Sequence, residues 1–401
     1  MVERAAHLVD HVFPDVPVRQ WVLSVPARIR YVLAWDHELC RAVVAVCVRA
    51  ILGFERRRAG RAGVQDGRGG AVAIIQRFGA ALNLNVHLHV LVLNGVFAED
   101  EAGGLRFHAA LPPRDEDVWS LAATIRTRVL RLLRRRGVSD DGEGGSAPDP
   151  LVDETPVLAG IAAASVANRA ALGARAGWRV TRDGGGLVEA VVSGLGPRHA
   201  RVDAFDLHAD VAVSGRARRT LERVCRYTLR PPIAQGRIHL TEDGQVALQL
   251  RHPWRDGTTR LVFEPVELLE RLAALTPRPR VNLVLYHGVL APRAAWRARV
   301  VRYGGHAAQT STNADVTHGD DVEALPDPVR PDGRWADWMR RSFGFDVLAC
   351  SRCGGRLRLV ATIEDPVVVG KILRHLGLPA VLPVPRPPPA WTGVIRFVDS
   401  F

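Results

Sequence analysis

The sequence predicts an α+β fold, an antiparallel sheet with flanking helices followed by a small C-terminal module. Three observations predict it. Runs of alternating apolar residues stand beside runs with helical spacing, and the two do not alternate regularly as βα units would. The 401 residues are 47% hydrophobic, enough to bury a sizeable core. A polar stretch rich in Gly, Thr, Asp and Pro separates the last forty-odd structured positions from the rest.

Residues 1–14 read as a short helix, and Trp21 to Pro26 as a first strand. A helix is expected from about Asp36 to Arg58, then a basic, Gly-rich connection to Gly70. Strands follow at Ala71–Gln76 and Asn85–Val96, with Asn94-Gly95 as a turn signal. Asp115 to Arg136 is a strongly amphipathic helix ending in arginines, and Gly137 to Asp149 a loop. Pro156 to Ala176 reads as helix, Phe205–Val213 as strand, and Ala217–Leu229 as a helix stopped by Pro231-Pro232. Gly184 to Gly196 is punctuated by glycine and assigned to no element. Ile238–Leu240, Val246–Arg251 and Arg260–Phe263 suggest a β-meander. Pro265–Leu275 reads as a helix and Val281–Tyr286 as a strand. The expected domains are 1–303, with an inserted loop at about 137–155; a flexible linker, 304–333; a C-terminal module, 334–378; and a Pro-rich tail, 379–401.

Charge points to a polyanionic partner. Lys plus Arg is 54 against 42 Asp plus Glu, a net charge of +12. Arginine dominates because Lys371 is the only lysine, as a G/C-rich coding sequence would give, but that bias does not explain the excess of basic over acidic residues. Of five cysteines, Cys40, Cys47 and Cys225 stand singly, so no disulfide scaffold is indicated and a reducing cytoplasm is expected. The charged N-terminus has no signal-peptide core, and no segment is long and apolar enough to span a membrane.

Asn85-Val86-His87-Leu88-His89-Val90-Leu91-Val92 carries the first candidate chemistry. Strand side chains alternate, so His87 and His89 share one face while Val86, Leu88, Val90 and Val92 share the other. Two imidazoles so placed can bind one metal together; they can equally be hydrogen-bonded core histidines. Tyr227, one of four tyrosines, lies on the helix Leu221 to Leu229 with Arg223, Arg226 and Arg230 at helical spacing. A tyrosine among three arginines is placed to meet a phosphate; the plainer reading is a ring packed on the core with its hydroxyl exposed.

Together these stretches resemble the insertion-sequence-91 family of rolling-circle transposases, within the HUH nuclease superfamily. The matching segments run in order along nearly the whole chain: Val18 to Pro26, Gln76-Arg77-Phe78-Gly79 through His89, Cys225-Arg226-Tyr227 with Arg230-Pro231-Pro232, Trp254 to Thr258, Tyr286 to Pro292, and Phe343 to Gly355. The resemblance implies a ferredoxin-like or RRM-like HUH palm. It implies that His87 and His89 hold Mg²⁺ or Mn²⁺, and that Tyr227 attacks single-stranded or hairpin DNA at the element ends to leave a 5′-phosphotyrosine. The bond energy kept in that link would serve rejoining to target DNA. Relatives often carry two tyrosines four residues apart; Arg223 and Pro231 occupy the flanking positions, so this is a single-tyrosine version. Relatives also begin with a cysteine-rich zinc-binding segment, which this chain, starting at Met1, is expected to lack, with specific DNA recognition the function affected. Glu222 and His208 are candidate third metal ligands.

Cys350-x-x-Cys353 followed by Gly354-Gly355 resembles one knuckle of a zinc ribbon; a closed Zn²⁺ site needs four ligands, with His375, another histidine or a second chain to supply the rest, and a pair of reduced thiols on a tight turn is the alternative. Arg134-Arg135-Arg136 and Arg56-Arg57-Arg58 are candidate DNA-backbone contacts, or solvated helix faces. Trp254, between Arg251 and Arg255, is expected in the core rather than stacked on a base. Three functions therefore compete: a DNA transposase of a bacterial insertion sequence, a catalytically inactive DNA-binding remnant of one, and an unrelated metal hydrolase using His87 and His89 with water.

Overall fold

A computed structural model describes residues 1–138, 150–183, 195–233, 236–304, 335–344, 346–358, 363 and 365–377. The chain divides into two compact units, Met1–Thr317 and His318–Phe401. All but the first residue of the expected linker, the Pro-rich tail and most of the Gly184 to Gly196 stretch lie outside the described residues.

The first unit begins with helix α1 (Val2–His11), strand β1 (Val18–Ser24), and helices α2 (Ala27–Trp35) and α3 (His37–Arg61). Strands β2 (Gly70–Phe78), β3 (Leu84–Leu93), β4 (Gly95–Glu99) and β5 (Leu105–Ala109) follow, then α4 (Asp115–Arg135), α5 (Pro150–Glu154) and α6 (Pro156–Val166). Next come β6 (Thr181–Asp183), β7 (His199–Val202), β8 (Phe205–His208), β9 (Ala212–Val213) and α7 (Arg218–Thr228). The unit continues through β10 (Ile238–Leu240), β11 (Val246–Gln249), β12 (Arg260–Phe263), α8 (Pro265–Leu275), β13 (Val284–Gly288) and α9 (Arg297–Val301). The second unit holds α10 (Trp335–Phe343) and α11 (Pro366–His375).

The architecture is α+β. A seven-stranded sheet runs β13-β2-β3-β1-β8-β7, with β9 also paired to β1, and every pairing in it is antiparallel. Smaller sheets are β10-β11-β12-β6 and β4-β5. Alternation gives the main sheet two different faces. Trp21, Leu23, Leu88, Val90, Val92, Ala73, Ile75 and Leu207 join one core with residues of α2, α3, α4, α6 and α8. Val18, Val72, Ile74, Leu91 and Leu93 join a second core with α1 and α7. The register sets His89 opposite Val22 and Ile74, and His87 opposite Ser24 and Gln76, so both histidines lie on the face that α1 and α7 cover.

Several boundaries differ from expectation, each for a local reason. The expected strand Asn85–Val96 is divided at Asn94, whose side chain accepts from Arg19 and donates to the Ala110 carbonyl. Gly95 then takes a φ of 149°, which an L side chain rarely adopts, and β4 turns away to pair with β5. Helix α2 was not expected: Asp36 both ends it and caps α3, accepting the Leu39 N–H at 2.8 Å. The helix expected to reach Ala176 stops at Val166, because Asn168 is left-handed (φ 57°) and Glu270 takes the N–H groups of Ala171 and Leu172 at 2.8 Å each. The expected strand Phe205–Val213 is interrupted where Ala209 gives its N–H to Arg198 and its carbonyl to Arg19. Part of the expected inserted loop is helix α5. No helix among the described residues is long and apolar enough to cross a membrane.

Candidate active site

The site lies where the end of α7 meets strand β3. Pro231-Pro232 ends α7, so Tyr227 stands in its last turn. Leu221, Cys225 and Thr228 bury one side of this helix, and Tyr227 remains 44% exposed. Its ring meets the ring of His89 edge-on, centres 5.9 Å apart, and the His87 and His89 rings are 5.0 Å apart. The guanidinium of Arg230 lies 4.3 Å above the Tyr227 ring.

Two glutamines hold this arrangement. Gln76, beside His87 in the sheet, donates from Nε2 to the Thr228 carbonyl at 2.6 Å and to the Tyr227 carbonyl at 3.3 Å. These are carbonyls that the last turn of a helix leaves without intrahelical donors. The amide of Gln20 meets His89 Nδ1 at 2.7 Å. Gln76 and Gln20 are buried, so both bonds are shielded from competing water.

Both imidazoles are held neutral. Burial pushes His89 down to about 3, with further lowering from His87 and Arg230. Burial also lowers His87, partly offset by the bond to the Asn85 carbonyl, with Arg30 and Arg230 lowering it further. Neutral imidazole is the form that binds metal. The His87 Nδ1 proton is committed to the Asn85 carbonyl at 2.9 Å, which leaves a lone pair on Nε2. His89 Nε2 is buried with no hydrogen-bond partner among the described residues. With the Gln20 Nε2 donating to Nδ1, His89 Nε2 carries the proton; a half-turn of the Gln20 amide puts the proton on Nδ1 and frees Nε2 as a ligand. The pair therefore suits a divalent cation as a two-nitrogen donor set.

Among the described residues no cluster of three or more His, Cys, Asp or Glu side chains is placed to hold a metal. Glu222 is buried on α7 and His208 lies on β8, and neither joins His87 and His89 in a three-ligand set. Val22 of β1 stands between His208 and His89. Of the three arginines near Tyr227, Arg230 lies over the Tyr227 and Phe78 rings and its charge acts on both histidines, while exposed Arg223 bonds Thr220 a turn earlier; Arg226 is partly buried. Arg134, Arg135 and Arg136 end α4, which packs on the opposite face of the sheet. Arg58 bonds the Leu111 carbonyl and Glu55. Trp254 packs on the larger core under Arg182.

In the second unit, Cys350 and Cys353 sit on a tight turn in which Cys350 N–H meets the Gly355 carbonyl and Gly354 N–H the Cys350 carbonyl. Backbone N–H groups of Arg352 and Cys353 lower the Cys350 thiol from its ordinary value, as does the Cys353 side chain. No further ligand joins the two thiols among the described residues.

Arg30, Gln20, Gln76 and Asn85 belong to the site and were not singled out from the sequence. Strand alternation from His87 would have marked Asn85; nothing local marks the others.

A family model described as "Putative transposase" (Y2_Tnp) matches residues 70–298, more than half of the chain and the stretch that carries His87, His89 and Tyr227. The chain belongs to this transposase family. It is accordingly a DNA-processing enzyme, and its substrate is DNA. No curated protein and no solved structure matches it.

Proposed function

We propose that this transposase is a metal-assisted, single-tyrosine DNA strand transferase of the insertion-sequence-91, HUH type. It would nick and rejoin single-stranded or hairpin DNA during rolling-circle transposition in the bacterial cytoplasm. The observation that carries the reading is the placement of a half-exposed tyrosine against two neutral histidines, with a guanidinium on its ring.

Tyr227 Oη forms a bond to phosphorus, the bond from phosphorus to the 3′ oxygen breaks, and the phenol proton passes to solvent. The departing 3′ oxygen takes up a proton, and the 5′-phosphate stays on the tyrosine. Rejoining reverses each bond change and needs no nucleotide cofactor. Arg230 and Arg30 supply positive charge beside the histidines, where a phosphate is held and charge develops. Gln76 fixes the backbone that carries the nucleophile. His87 and His89 would hold a divalent ion, Mg²⁺ or Mn²⁺, whose charge polarises the phosphate. The remaining coordination falls to substrate oxygens and water.

Incubation with Mn²⁺ and single-stranded oligonucleotides that include a hairpin tests this. The expected result is a protein–DNA adduct that survives denaturation and disappears in Tyr227→Phe. Binding without an adduct would identify a DNA-binding remnant, and cleavage that persists in Tyr227→Phe would identify a hydrolase using water.

A further inference from the structure

The sheet register carries polar side chains well past the site. One row across five strands is Gln76, His87, Ser24, Asp206 and Arg201, where Gln76 and His87 are neighbours on β2 and β3 and the rest follow on β1, β8 and β7. The next row is His89, Val22, His208 and His199. All of these side chains lie on the histidine face, because directly paired residues share a face. The opposite face of β7 and β8 is apolar: Ala200, Phe205 and Leu207 join the core that α4 closes.

The outer half of this polar face is partly exposed and ordered. The Arg201 side chain is 62% exposed, and those of His199 and Asp206 are 23% and 22% exposed. Asp206 holds His199 Nε2 at 2.8 Å with one oxygen and Arg201 at 3.0 Å with the other. The His199 and His208 rings meet edge-on with centres 5.4 Å apart. The Asp206 charge is thus matched by Arg201, and two positioned aromatic rings stand beside an exposed cation. Aromatic faces beside a cation suit unpaired bases and their phosphates, whereas paired bases present no free face to stack on.

We propose that His199, His208 and Arg201 form a track on which the single strand flanking the scissile phosphate lies, its bases stacked on the histidines. The track rests on the strand-transfer reading for its orientation, and it is continuous with that site through the two rows. At about 4.8 Å per strand, His199 lies roughly 14 Å from His89, the length of about four stacked nucleotides.

The test is a length series of oligo(dT), from three to twelve nucleotides, measured by fluorescence anisotropy on full-length protein. The Tyr227→Phe background keeps cleavage out of the measurement. Affinity is expected to climb with length, and His199→Ala/His208→Ala to lose about tenfold for the longest oligonucleotide while the shortest changes little. His199→Phe keeps a ring and restores the affinity. Arg201→Ala, at a largely exposed side chain that leaves the core intact, weakens binding and lowers the salt slope by about one. A double variant that folds by circular dichroism and binds the twelve-mer within twofold of its parent overturns the proposal, as does failure of phenylalanine to restore binding. Should the double variant not fold, an Arg201→Ala affinity equal to that of the parent overturns it. Adduct formation is measured separately with Tyr227 present. Its absence would refute strand transfer and leave the length series to decide the track.

Discussion

Gln76 Nε2 donates to the Thr228 carbonyl at 2.6 Å, joining the strand next to the histidines to the end of the tyrosine helix. The bond is buried and spans 152 positions of sequence. It places the backbone of Tyr227, the proposed nucleophile, which packing leaves half exposed.

Replacing Gln76 with Ala should therefore slow adduct formation far more than it weakens DNA binding. Rates typically fall roughly tenfold to hundredfold when a nucleophile loses its placement. Single-turnover adduct assays beside anisotropy would show a drop in rate with affinity within twofold. The variant should also lose about 1–3 kcal/mol of stability, since a buried and a part-buried carbonyl lose their donor. Gln76→Glu, which turns an acceptor toward those carbonyls, should be at least as slow.

Gln20→Leu is expected to weaken Mn²⁺ binding by about 10–100-fold, the usual effect of removing the group that orients a histidine ligand. Titration followed by electron paramagnetic resonance measures this without DNA. An unchanged affinity would show that His89 needs no partner to present its nitrogen.

Glu55 makes stability depend on pH. It is buried on α3, and desolvation raises its carboxyl from the ordinary 4.5 to about 7, against the lowering effect of Arg58 and Arg19. Below pH 4.5 the group is protonated in both states and costs nothing. As the pH rises through 7 the unfolded chain releases the proton first, so stability falls. Glu55→Gln removes the dependence, and urea denaturation should show the variant gaining roughly 2–3 kcal/mol on the parent between pH 5 and pH 8.

Arg77 is a buried cation that closes two helices: it donates to the carbonyl of Ala34 at the end of α2 and to those of Ala274 and Leu275 at the end of α8. A lysine cannot reach three carbonyls in that fork geometry. Arg77→Lys should lower stability by about 2–4 kcal/mol, read from thermal or urea unfolding.

Periodicity was enough to place the central elements. The alternation around His87 and His89 put both on one face, and Pro231-Pro232 marked the end of α7 beside Tyr227. What could not be read locally is which elements meet. Arg30 lies on a nine-residue helix that Asp36 divides from its successor, in a stretch to which the sequence reading assigns no element. Gln20 and Gln76 touch partners 69 and more than 150 positions away. The arginines at 134–136 show another limit: a run of charge advertises an anion but says nothing about which side of a sheet its helix covers. Glu222 and His208 were plausible ligands by chemistry, and only register and helix placement show that neither forms a set of three with the histidines.

The pairing of Val284–Gly288 with Gly70–Ile74 has a consequence for how the enzyme is made. Translation at roughly 10 residues per second separates the emergence of these two strands from the ribosome by roughly 20 s. Throughout that interval the outer edge of Ala71–Ile74 offers unpaired backbone to any other nascent strand. A message cut short before codon 284 would leave that edge uncovered, an aggregation hazard. Val284–Gly288 is the last strand of that sheet to be made, so the β2 edge of the sheet that carries the histidines is covered only once the chain has reached Gly288.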